Sequence, residues 1–272
     1  MTVSETKRLL RNHRIVPNKL LGQNFLVEPS IFPKLVDYAS LGKADVVLDA
    51  GAGFGFLTRF LADKCRMVVA VEKDRCVAAV LREQLLGLAN VTVIEGDVLK
   101  TSVPDFNKAV SVPPYYLSSR LVMWLFDQRF ECAVLILQKE FAERLVATVG
   151  SDAYGWLTVA TWHSAAVELL DPIPHSMFYP PPEVDSVIVR LTPWKTAPFE
   201  VTNEAFFRRM LKTLFTQRNR KIGNALAPFI TRTRKAPKED TEKLVHDLAF
   251  REKRVRELPP EVFGELANAL VS

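Results

Sequence analysis

Three glycines and two carboxylates follow the ends of short apolar runs in the first half of the chain. They are Gly51, Gly53, Gly55, Glu72 and Asp97. Glycine lets a backbone adopt positive φ and approach a ligand closely, although glycine-rich turns also serve as plain connections. The carboxylate about 20 residues after the turn adds a stronger signal, because it can accept both hydroxyls of a ribose. The pattern predicts a binding site for an adenosine-containing molecule.

Two ligands of this kind are compatible with the pattern, a dinucleotide and S-adenosylmethionine. The turn reads Gly51-Ala52-Gly53-Phe54-Gly55 and lacks the G-x-G-x-x-G spacing that seats a pyrophosphate on a helix N-terminus. Asp97 follows a third predicted strand, where its carboxylate suits a hydrogen bond to an adenine amino group. The sequence therefore favours S-adenosylmethionine.

Apolar runs and amphipathic segments alternate around these residues. The predicted strands are 46–49, 67–72, 91–94, 108–112 and 131–137, and the predicted helices are 56–63, 74–86, 118–127, 139–149 and 154–164. Strands that alternate with helices form a mostly parallel, doubly wound sheet. Two further strands, 167–170 and 184–191, follow each other without a helix and predict an antiparallel pair at one edge. The predicted fold class is α/β, a Rossmann-like class I methyltransferase sheet.

The last part of the chain has a different pattern. After residue 193 the apolar residues recur with helical spacing, and further helices are predicted at 218–227, 239–249 and 260–270. In residues 193–272, 16 Lys and Arg face 10 Asp and Glu, a surplus of six that exceeds the whole-chain net charge of +5. We predict a methyltransferase domain at 1–192 and a small, all-helical RNA-binding domain at 193–272.

Composition limits the remaining functions. With 272 residues and 48% hydrophobic content, the chain can bury a large core, and no apolar stretch approaches the roughly 20 residues that span a bilayer. Cys65, Cys76 and Cys132 have no C-x-x-C spacing, and the four histidines do not complete a metal site with them. We expect reduced thiols, no bound metal, no membrane contact and a monomer in the cytoplasm.

The N-terminal residues 1–19 form a basic arm. Its cations are Lys7, Arg8, Arg11, Arg14 and Lys19, against the single acidic Glu5. Two interpretations stay open, an arm that contacts a polyanion such as RNA and a frayed, solvated leader.

A proline-rich turn, Val112-Pro113-Pro114-Tyr115, follows the predicted strand 108–112. The carboxyl ends of strands in a doubly wound sheet form the ligand crevice, so this turn should face the same cavity as the glycine turn. Tyr115 could stack on a flat substrate, and the Pro113 carbonyl could accept a hydrogen bond from an exocyclic amine. Methylation of such an amine requires a base that has left its helix.

Several longer segments combine into a specific pattern. They are Gly22-Gln23-Asn24-Phe25-Leu26, Asp49-Ala50-Gly51-Ala52-Gly53, Pro114-Tyr115, the stretch 138–145, the stretch 178–186, Phe215-Thr216-Gln217-Arg218 and Asn224-Ala225-Leu226, together with Glu72 and Asp97. Over almost its whole length the chain resembles the ribosomal RNA adenine dimethyltransferase family. The resemblance implies methyl transfer from S-adenosylmethionine to N6 of two adjacent adenines near the 3′ end of small-subunit rRNA, with the small ribosomal subunit or its precursor as partner.

The resemblance also implies roles for individual residues. The cofactor would be held by Gln23, Asn24, Leu26, Gly51, Gly53, Glu72, Asp97 and Val112, with Glu72 on the ribose and Asp97 on the adenine. The target base would lie among Val112, Pro113, Pro114, Tyr115 and Phe178. Phe178, beside a proline run, could instead be an ordinary core residue.

Basic residues of the helical part are the other candidates for RNA contact. They are Arg218, Arg220, Lys221, Arg232 and Arg234, followed by Lys235. Their concentration in the basic domain favours phosphate contacts over a merely solvated helix face. Such contacts position an RNA and carry little sequence information.

One residue departs from the family pattern. Val112 occupies a position where the family usually has Asn or Asp, and valine cannot accept a hydrogen from the target amine. We therefore consider a slower enzyme, a transfer that stops at one methyl, a compensating acceptor such as Ser111, or an assembly factor that binds RNA without efficient catalysis. A related rival is large-subunit rRNA methylation, which the matches at 178–186 and 215–218 disfavour.

Overall fold

The computed structural model describes residues 2–18, 21–234, 246 and 250–271. Its helices are α1 (Val3–Asn12), α2 (Ile31–Tyr38), α3 (Phe56–Ala62), α4 (Arg75–Gln84), α5 (Ser118–Leu125), α6 (Lys139–Leu145), α7 (Trp156–Ser164), α8 (Glu204–Phe215), α9 (Ile222–Arg234) and α10 (Pro260–Val271). Its strands are β1 (Phe25–Leu26), β2 (Val46–Ala50), β3 (Met67–Glu72), β4 (Val91–Glu95), β5 (Lys108–Ser111), β6 (Cys132–Gln138), β7 (Ala165–Ile173), β8 (Phe178–Tyr179) and β9 (Ser186–Pro193).

Seven strands form one sheet in the order β4-β3-β2-β5-β6-β9-β7. The pairs from β4 to β6 are parallel, and β9 runs antiparallel to β6. Every residue of β2 is buried, as expected for a central strand covered by helices on both faces. The predicted α/β fold with a mostly parallel sheet is confirmed.

A second, two-stranded sheet joins segments that are far apart in the sequence. β1 and β8 pair antiparallel, with Phe25 opposite Tyr179 and Leu26 opposite Phe178. Strands of two residues have too little periodicity to be recognised in a sequence. The pairing fixes the segment after Gly22 against the one that begins at Phe178.

The N-terminal arm is a helix, so the interpretation as a frayed leader is wrong. Thr2 and Glu5 form a reciprocal capping box at the start of α1. Leu9 and Leu10 are buried in a cluster with Phe54, while most of the polar residues point outward. The buried residues of α1 are Thr6, Leu9 and Leu10, which together form its inward face.

The chain divides into two compact units. The first contains Met1–Ala142 and Val167–Pro193, and the second contains Glu143–Ala166 and Trp194–Ser272. The second unit therefore includes α7, which the sequence analysis assigned to the domain 1–192. Its core contains Phe207 and Phe263, both fully buried.

The helices of the second unit differ from prediction in their limits. α9 begins at Ile222 and continues through Pro228 to Arg234, whereas the sequence predicted 218–227. The helix predicted at 239–249 lies outside the described residues, apart from residue 246. Arg218 and Arg220 consequently lie in the turn before α9 and not on a helix face.

Among the described residues, no helix is both long and apolar enough to cross a bilayer. Nor do three His, Cys, Asp or Glu side chains come together as a metal site within that part of the chain. The three cysteines are free thiols, of which Cys65 is buried and Cys76 exposed.

Candidate active site

The carboxyl ends of four neighbouring strands form a cleft in the first unit, which we call the cofactor cleft. Its lining includes seven of the eight predicted cofactor residues: Gln23, Asn24, Gly51, Gly53, Glu72, Asp97 and Val112. The eighth, Leu26, lines an adjoining cavity that shares Asn24, Gly51 and Val112 with the cleft. Segments spread over about 90 residues of sequence are thus brought to one edge of the sheet, as the doubly wound topology requires.

The glycine turn contacts the proline turn directly. Gly51 has φ +81°, and its N–H donates to the Val71 carbonyl at 2.8 Å. A Cβ at this position would lie 2.6 Å from Cδ of Pro114, too close for any packed carbon. Glycine is therefore required at residue 51 both for the backbone conformation and for the approach of the proline ring.

Glu72 is buried at the end of β3 and holds the glycine turn in place. One carboxylate oxygen accepts the Gly53 N–H at 2.9 Å, and the other accepts the Asp74 N–H at 2.9 Å. Burial raises the pKa of Glu72, while these backbone hydrogen bonds act in the opposite direction. Each oxygen keeps a further lone pair, so the carboxylate can still accept the two hydroxyls of a ribose.

Asp97 lies just beyond β4 and is paired with a cation. Its Oδ2 is 3.2 Å from Nζ of Lys73, and its Oδ1 accepts the Leu99 N–H at 3.1 Å. Partial burial alone would raise the pKa of Asp97, but the Leu99 hydrogen bond and Lys73 outweigh it and lower the pKa. The side chain is therefore an ionised acceptor at neutral pH.

The segment before β1 closes another side of the cofactor cleft. Gln23 donates from Nε2 to Oδ2 of Asp74 at 2.9 Å and accepts the Asn18 N–H through its own oxygen. Asn24 donates weakly from Nδ2 to the Gly22 carbonyl at 3.4 Å. Gln23 thus serves mainly to hold this segment against α4, and Asn24 is the more available of the two amides.

Asp49 is a residue of the site that the sequence analysis did not assign a role. Its side chain is fully buried beside the adjoining cavity and accepts the Thr58 hydroxyl at 2.7 Å. Burial raises the pKa of Asp49 to about 7; the Thr58 hydrogen bond lowers it, and the charge of Glu72 raises it further. An acidic residue in an otherwise apolar strand was the signal that could have identified it.

Ser111 cannot replace the acceptor that is missing at position 112. Its hydroxyl is fully buried, accepts the Ala50 N–H at 2.8 Å and faces the Leu48 carbonyl at 3.3 Å. Both contacts tie β5 to β2, so the hydroxyl is directed into the sheet. The suggestion that Ser111 compensates for Val112 is therefore wrong, and Val112 itself is half-buried against the core.

The predicted base-binding residues lie next to one another. The rings of Tyr115 and Phe178 meet edge to face with their centroids 6.3 Å apart. The Tyr115 hydroxyl forms a 2.7 Å hydrogen bond with the Ser186 hydroxyl, which fixes the half-buried ring. Phe178 is 3% exposed and packs in the main core cluster, so it has the environment of a core residue as well. Pro113 is buried, and Pro114 lines the cleft.

Tyr116 is a second residue that the sequence analysis missed. Its ring is 40% exposed and lines the cofactor cleft. The Lys73 ammonium and the Arg120 guanidinium each lie 5.9 Å from the ring centroid. An exposed ring beside two cations is suited to stacking and phosphate contact at the rim of the cleft.

The basic residues of α1 are presented on its outer face. Lys7, Arg8 and Arg11 of α1 are exposed, as is Arg14 just beyond the helix, and Lys19 lies outside the described residues. The Lys7 ammonium lies 5.1 Å from the centroid of the Tyr179 ring, next to β8.

The predicted phosphate contacts of the second unit are partly occupied within the protein. Arg218 donates to the carbonyls of Ser151 and Asp152, and Arg220 donates to Oε1 of Gln217. Lys221 pairs with Glu252, whereas Arg232 is exposed. The side chains of Arg234 and Lys235 lie outside those that the structure describes.

The donor and acceptor set of the cofactor cleft suits S-adenosylmethionine. Two carboxylates with lone pairs to spare lie at the ends of the neighbouring strands β3 and β4, and Gly51 and Gly53 of the glycine turn have no side chains to obstruct a ligand. Sheet order and cleft together define a class I methyltransferase that uses S-adenosylmethionine.

The family described as ribosomal RNA adenine dimethylase matches residues 16–262. The chain belongs to this family and is therefore an S-adenosylmethionine-dependent ribosomal RNA adenine dimethyltransferase. A similar protein from Methanosarcina barkeri, "Probable ribosomal RNA small subunit methyltransferase A", is 37% identical over 98% of this chain and 92% of its own. A protein with the same description from Methanopyrus kandleri is 37% identical over 97% of this chain and 96% of its own.

Two solved structures are similar over most of both chains. A dimethyladenosine transferase from Plasmodium falciparum superposes with a TM-score of 0.78 and 29% identity, covering 91% of this chain and 97% of that one. The 23S rRNA methyltransferase ErmE gives a TM-score of 0.66 and 30% identity, covering 92% of this chain and all of the other.

Proposed function

We propose that the protein methylates N6 of two adjacent adenines near the 3′ end of small-subunit rRNA, within a precursor of the small ribosomal subunit. One observation carries the chemistry: the proline turn packs on the glycine turn through Pro113 and Pro114, and Pro114 and Tyr116 line the cofactor cleft. The descriptions of the archaeal relatives support the small subunit as the target.

S-adenosylmethionine, when bound, supplies a methyl group that is already activated for attack by an amine. The protein therefore needs to position the reactants and does not need a general base. In this proposal Glu72 accepts the ribose hydroxyls and Asp97 accepts the adenine amino group. Asn24, Leu26, Gly51 and Gly53 line the rest of the cofactor surface.

The target adenine must leave its helix to reach this position. Tyr115, held by Ser186 and Phe178, provides a fixed ring on which the base can stack. The Pro113 carbonyl accepts one hydrogen of the exocyclic amine, so that the nitrogen lone pair faces the methyl group. Lys7 and the other basic residues of α1 would contact phosphates of the same RNA.

Val112 makes this positioning incomplete. With valine at 112 and the Ser111 hydroxyl engaged in the sheet, the second amine hydrogen has no partner from either residue. A buried polar hydrogen without an acceptor costs about 1–3 kcal/mol, which in the transition state corresponds to roughly tenfold to a hundredfold in rate. We therefore propose that the protein is a slow dimethyltransferase, in which base stacking and cofactor binding position the reactants.

The alternative, an assembly factor without catalysis, has less support. Such a factor would have no need for a cleft in which Glu72 and Asp97 both present free acceptor positions. We further propose that the protein acts as a monomer and that it is located in the cytoplasm. In that compartment its three free thiols would remain reduced.

A methyl-transfer assay tests the proposal. Purified protein, labelled S-adenosylmethionine and undermethylated small subunits are combined, and the nucleosides are analysed by mass spectrometry. Dimethyladenosine is the expected product. Monomethyladenosine alone would locate the effect of Val112 in the second transfer, while cofactor binding without any product would contradict the catalytic proposal.

A further inference from the structure

The second unit contains a concavity of its own, which we call the Trp156 cavity. Its volume is about 260 Å³, several times the roughly 30 Å³ of a water molecule. The lining combines aromatic rings with arginines and one carboxylate: Arg144, Asp152, Tyr154, Trp156, Phe215 and Arg218. None of these residues lines the cofactor cleft.

Some of the charged side chains around this cavity form ion pairs and others do not. Asp152 contributes its carboxylate, which lies 3.2 Å from Arg256 and 3.8 Å from Arg218. Arg218 is further committed to the carbonyls of Ser151 and Asp152. By contrast, the Arg144 side chain is exposed and has no acidic partner among residues 2–18, 21–234, 246 and 250–271. The cavity therefore has a cation to offer to an anionic ligand.

Trp156, at the first position of α7, is the aromatic residue best placed to contact a ligand. Its side chain is only partly buried, whereas Tyr154 is fully buried and donates its hydroxyl hydrogen to the Leu258 carbonyl at 2.8 Å. The ammonium of Lys212 lies 4.9 Å from the Trp156 ring centroid, and Lys212 has no ion-pair partner in the described part of the chain. One such cation, Lys212, thus lies over the indole ring, and a second, Arg144, lines the same cavity.

We propose that the Trp156 cavity binds an unpaired RNA nucleotide. The base stacks on Trp156, and Arg144 and Lys212 contact the adjacent phosphates. Stacking on an aromatic ring beside cations is the usual way in which proteins bind single-stranded nucleic acid without reading its sequence. The inference rests on the proposed function in that RNA is the substrate, but the nucleotide bound here is a different one from the methylated adenine.

The same helix provides a matched control. Trp162 is 48% exposed on α7, does not line the Trp156 cavity, and no cation of the described residues is placed over its ring. Trp162 is more exposed than Trp156, so replacing it removes at least as much exposed aromatic surface. Lys195, also exposed and in the second unit, serves as the control for charge.

The test measures binding of the full-length protein to small subunits and to fluorescently labelled oligoadenylate RNA. Trp156→Ala should weaken both affinities by roughly tenfold to a hundredfold, with Trp156→Phe retaining most of the affinity. Arg144→Ala and Lys212→Ala should each lower the slope of log affinity against log salt by about one. Trp162→Ala and Lys195→Ala should change neither quantity.

Tryptophan fluorescence gives a readout that does not depend on catalysis. RNA should quench part of the emission of the native protein, and Trp156→Phe should remove that part while Trp162→Phe preserves it. Two results would overturn the proposal. One is equal RNA affinity for Trp156→Ala and Trp162→Ala. The other is a Trp156 cavity that binds an acidic peptide and no RNA. Because binding is measured without methyl transfer, quenching that persists in a preparation without activity would contradict only the proposed function.

Discussion

The cofactor cleft and the Trp156 cavity are built in opposite ways. The cleft is made of residues that follow the ends of β2, β3, β4 and β5, and its carboxylates are already hydrogen-bonded within the protein. The cavity is made mainly of the continuous segment 152–158, to which Arg144, Phe215 and Arg218 add single side chains. Two of the cations near it, Arg144 and Lys212, have no acidic partner in the described chain. The cleft is preorganised for a small ligand, whereas the cavity has charge left for a polyanion.

The largest effect on activity should come from a substitution at the contact between Gly51 and Pro114 in the cofactor cleft. Gly51→Ala places a Cβ 2.6 Å from Cδ of Pro114 and strains a backbone at φ +81°, so cofactor binding and methyl transfer should fall by more than about a hundredfold. RNA affinity should fall far less, because the Trp156 cavity and the cations of α1 are not altered. Calorimetric titration with S-adenosylmethionine and a subunit-binding assay measure the two quantities.

Gly87→Ala is the control for backbone strain, since Gly87 has φ +86° and no atom within 4 Å of the added carbon. It should leave cofactor affinity unchanged. A Gly51→Ala variant with native cofactor affinity would contradict the described packing.

Val112→Asn should increase the rate, which few substitutions at an active site do. The amide restores an acceptor at the end of β5, and the expected gain in kcat is roughly tenfold to a hundredfold. Val112→Leu, which adds bulk without an acceptor, is the control and should not accelerate the reaction. Single-turnover rates on undermethylated subunits decide the matter, and equal rates for the native and Val112→Asn proteins would exclude our account of this residue.

Tyr115 and Tyr116 are adjacent in the chain, but their substitution should have different effects. Tyr116→Ala removes a ring that is 40% exposed, so KM for the subunit should rise about tenfold while thermal stability changes little. Tyr115→Phe removes the hydroxyl that bonds to Ser186 and should lower stability by about 0.5–1.5 kcal/mol. Steady-state kinetics together with thermal unfolding distinguish the two; a KM unaffected by Tyr116→Ala would remove this residue from the RNA surface.

The smallest effect concerns Asp49 and the pH dependence of stability. Its pKa is about 7 in the folded protein against 3.8 ordinarily, so the folded state retains a proton that the unfolded state loses. The contribution of Asp49 is complete below about pH 4 and is lost as pH rises towards 7. Asp49→Asn should therefore flatten the decline of unfolding free energy with rising pH, measured by denaturant titration. A curve that keeps the native slope would contradict the raised pKa.

Sequence patterns predicted the cleft well because its parts are local. Gly51, Glu72 and Asp97 each follow an apolar run, and the parallel sheet brings such positions together at one edge. The pairing of β1 with β8 could not be predicted, since it joins two-residue strands about 150 residues apart in the chain. The Trp156 cavity gave no signal either, because Arg144, Trp156 and Lys212 belong to no common motif.

Some misreadings have identifiable physical causes. The charges of residues 1–19 left two interpretations open, and the packing of Leu9 and Leu10 beside Phe54 excludes the frayed leader. The helix predicted at 218–227 ends too early, because α9 continues through Pro228 to Arg234. The Ser111 hydroxyl can accept a hydrogen bond, but it points into the sheet and accepts the Ala50 N–H. A sequence does not reveal the direction of a side chain.

The position of the modified nucleotides tests the central claim most directly. After reaction with undermethylated small subunits and with large subunits in parallel, reverse transcription across the rRNA maps each dimethyladenosine, because methyl groups on N6 block base pairing. We predict two adjacent adenines near the 3′ end of the small-subunit rRNA and no modification of the large subunit. Methylation at other positions, or of large-subunit rRNA in preference, would contradict the account.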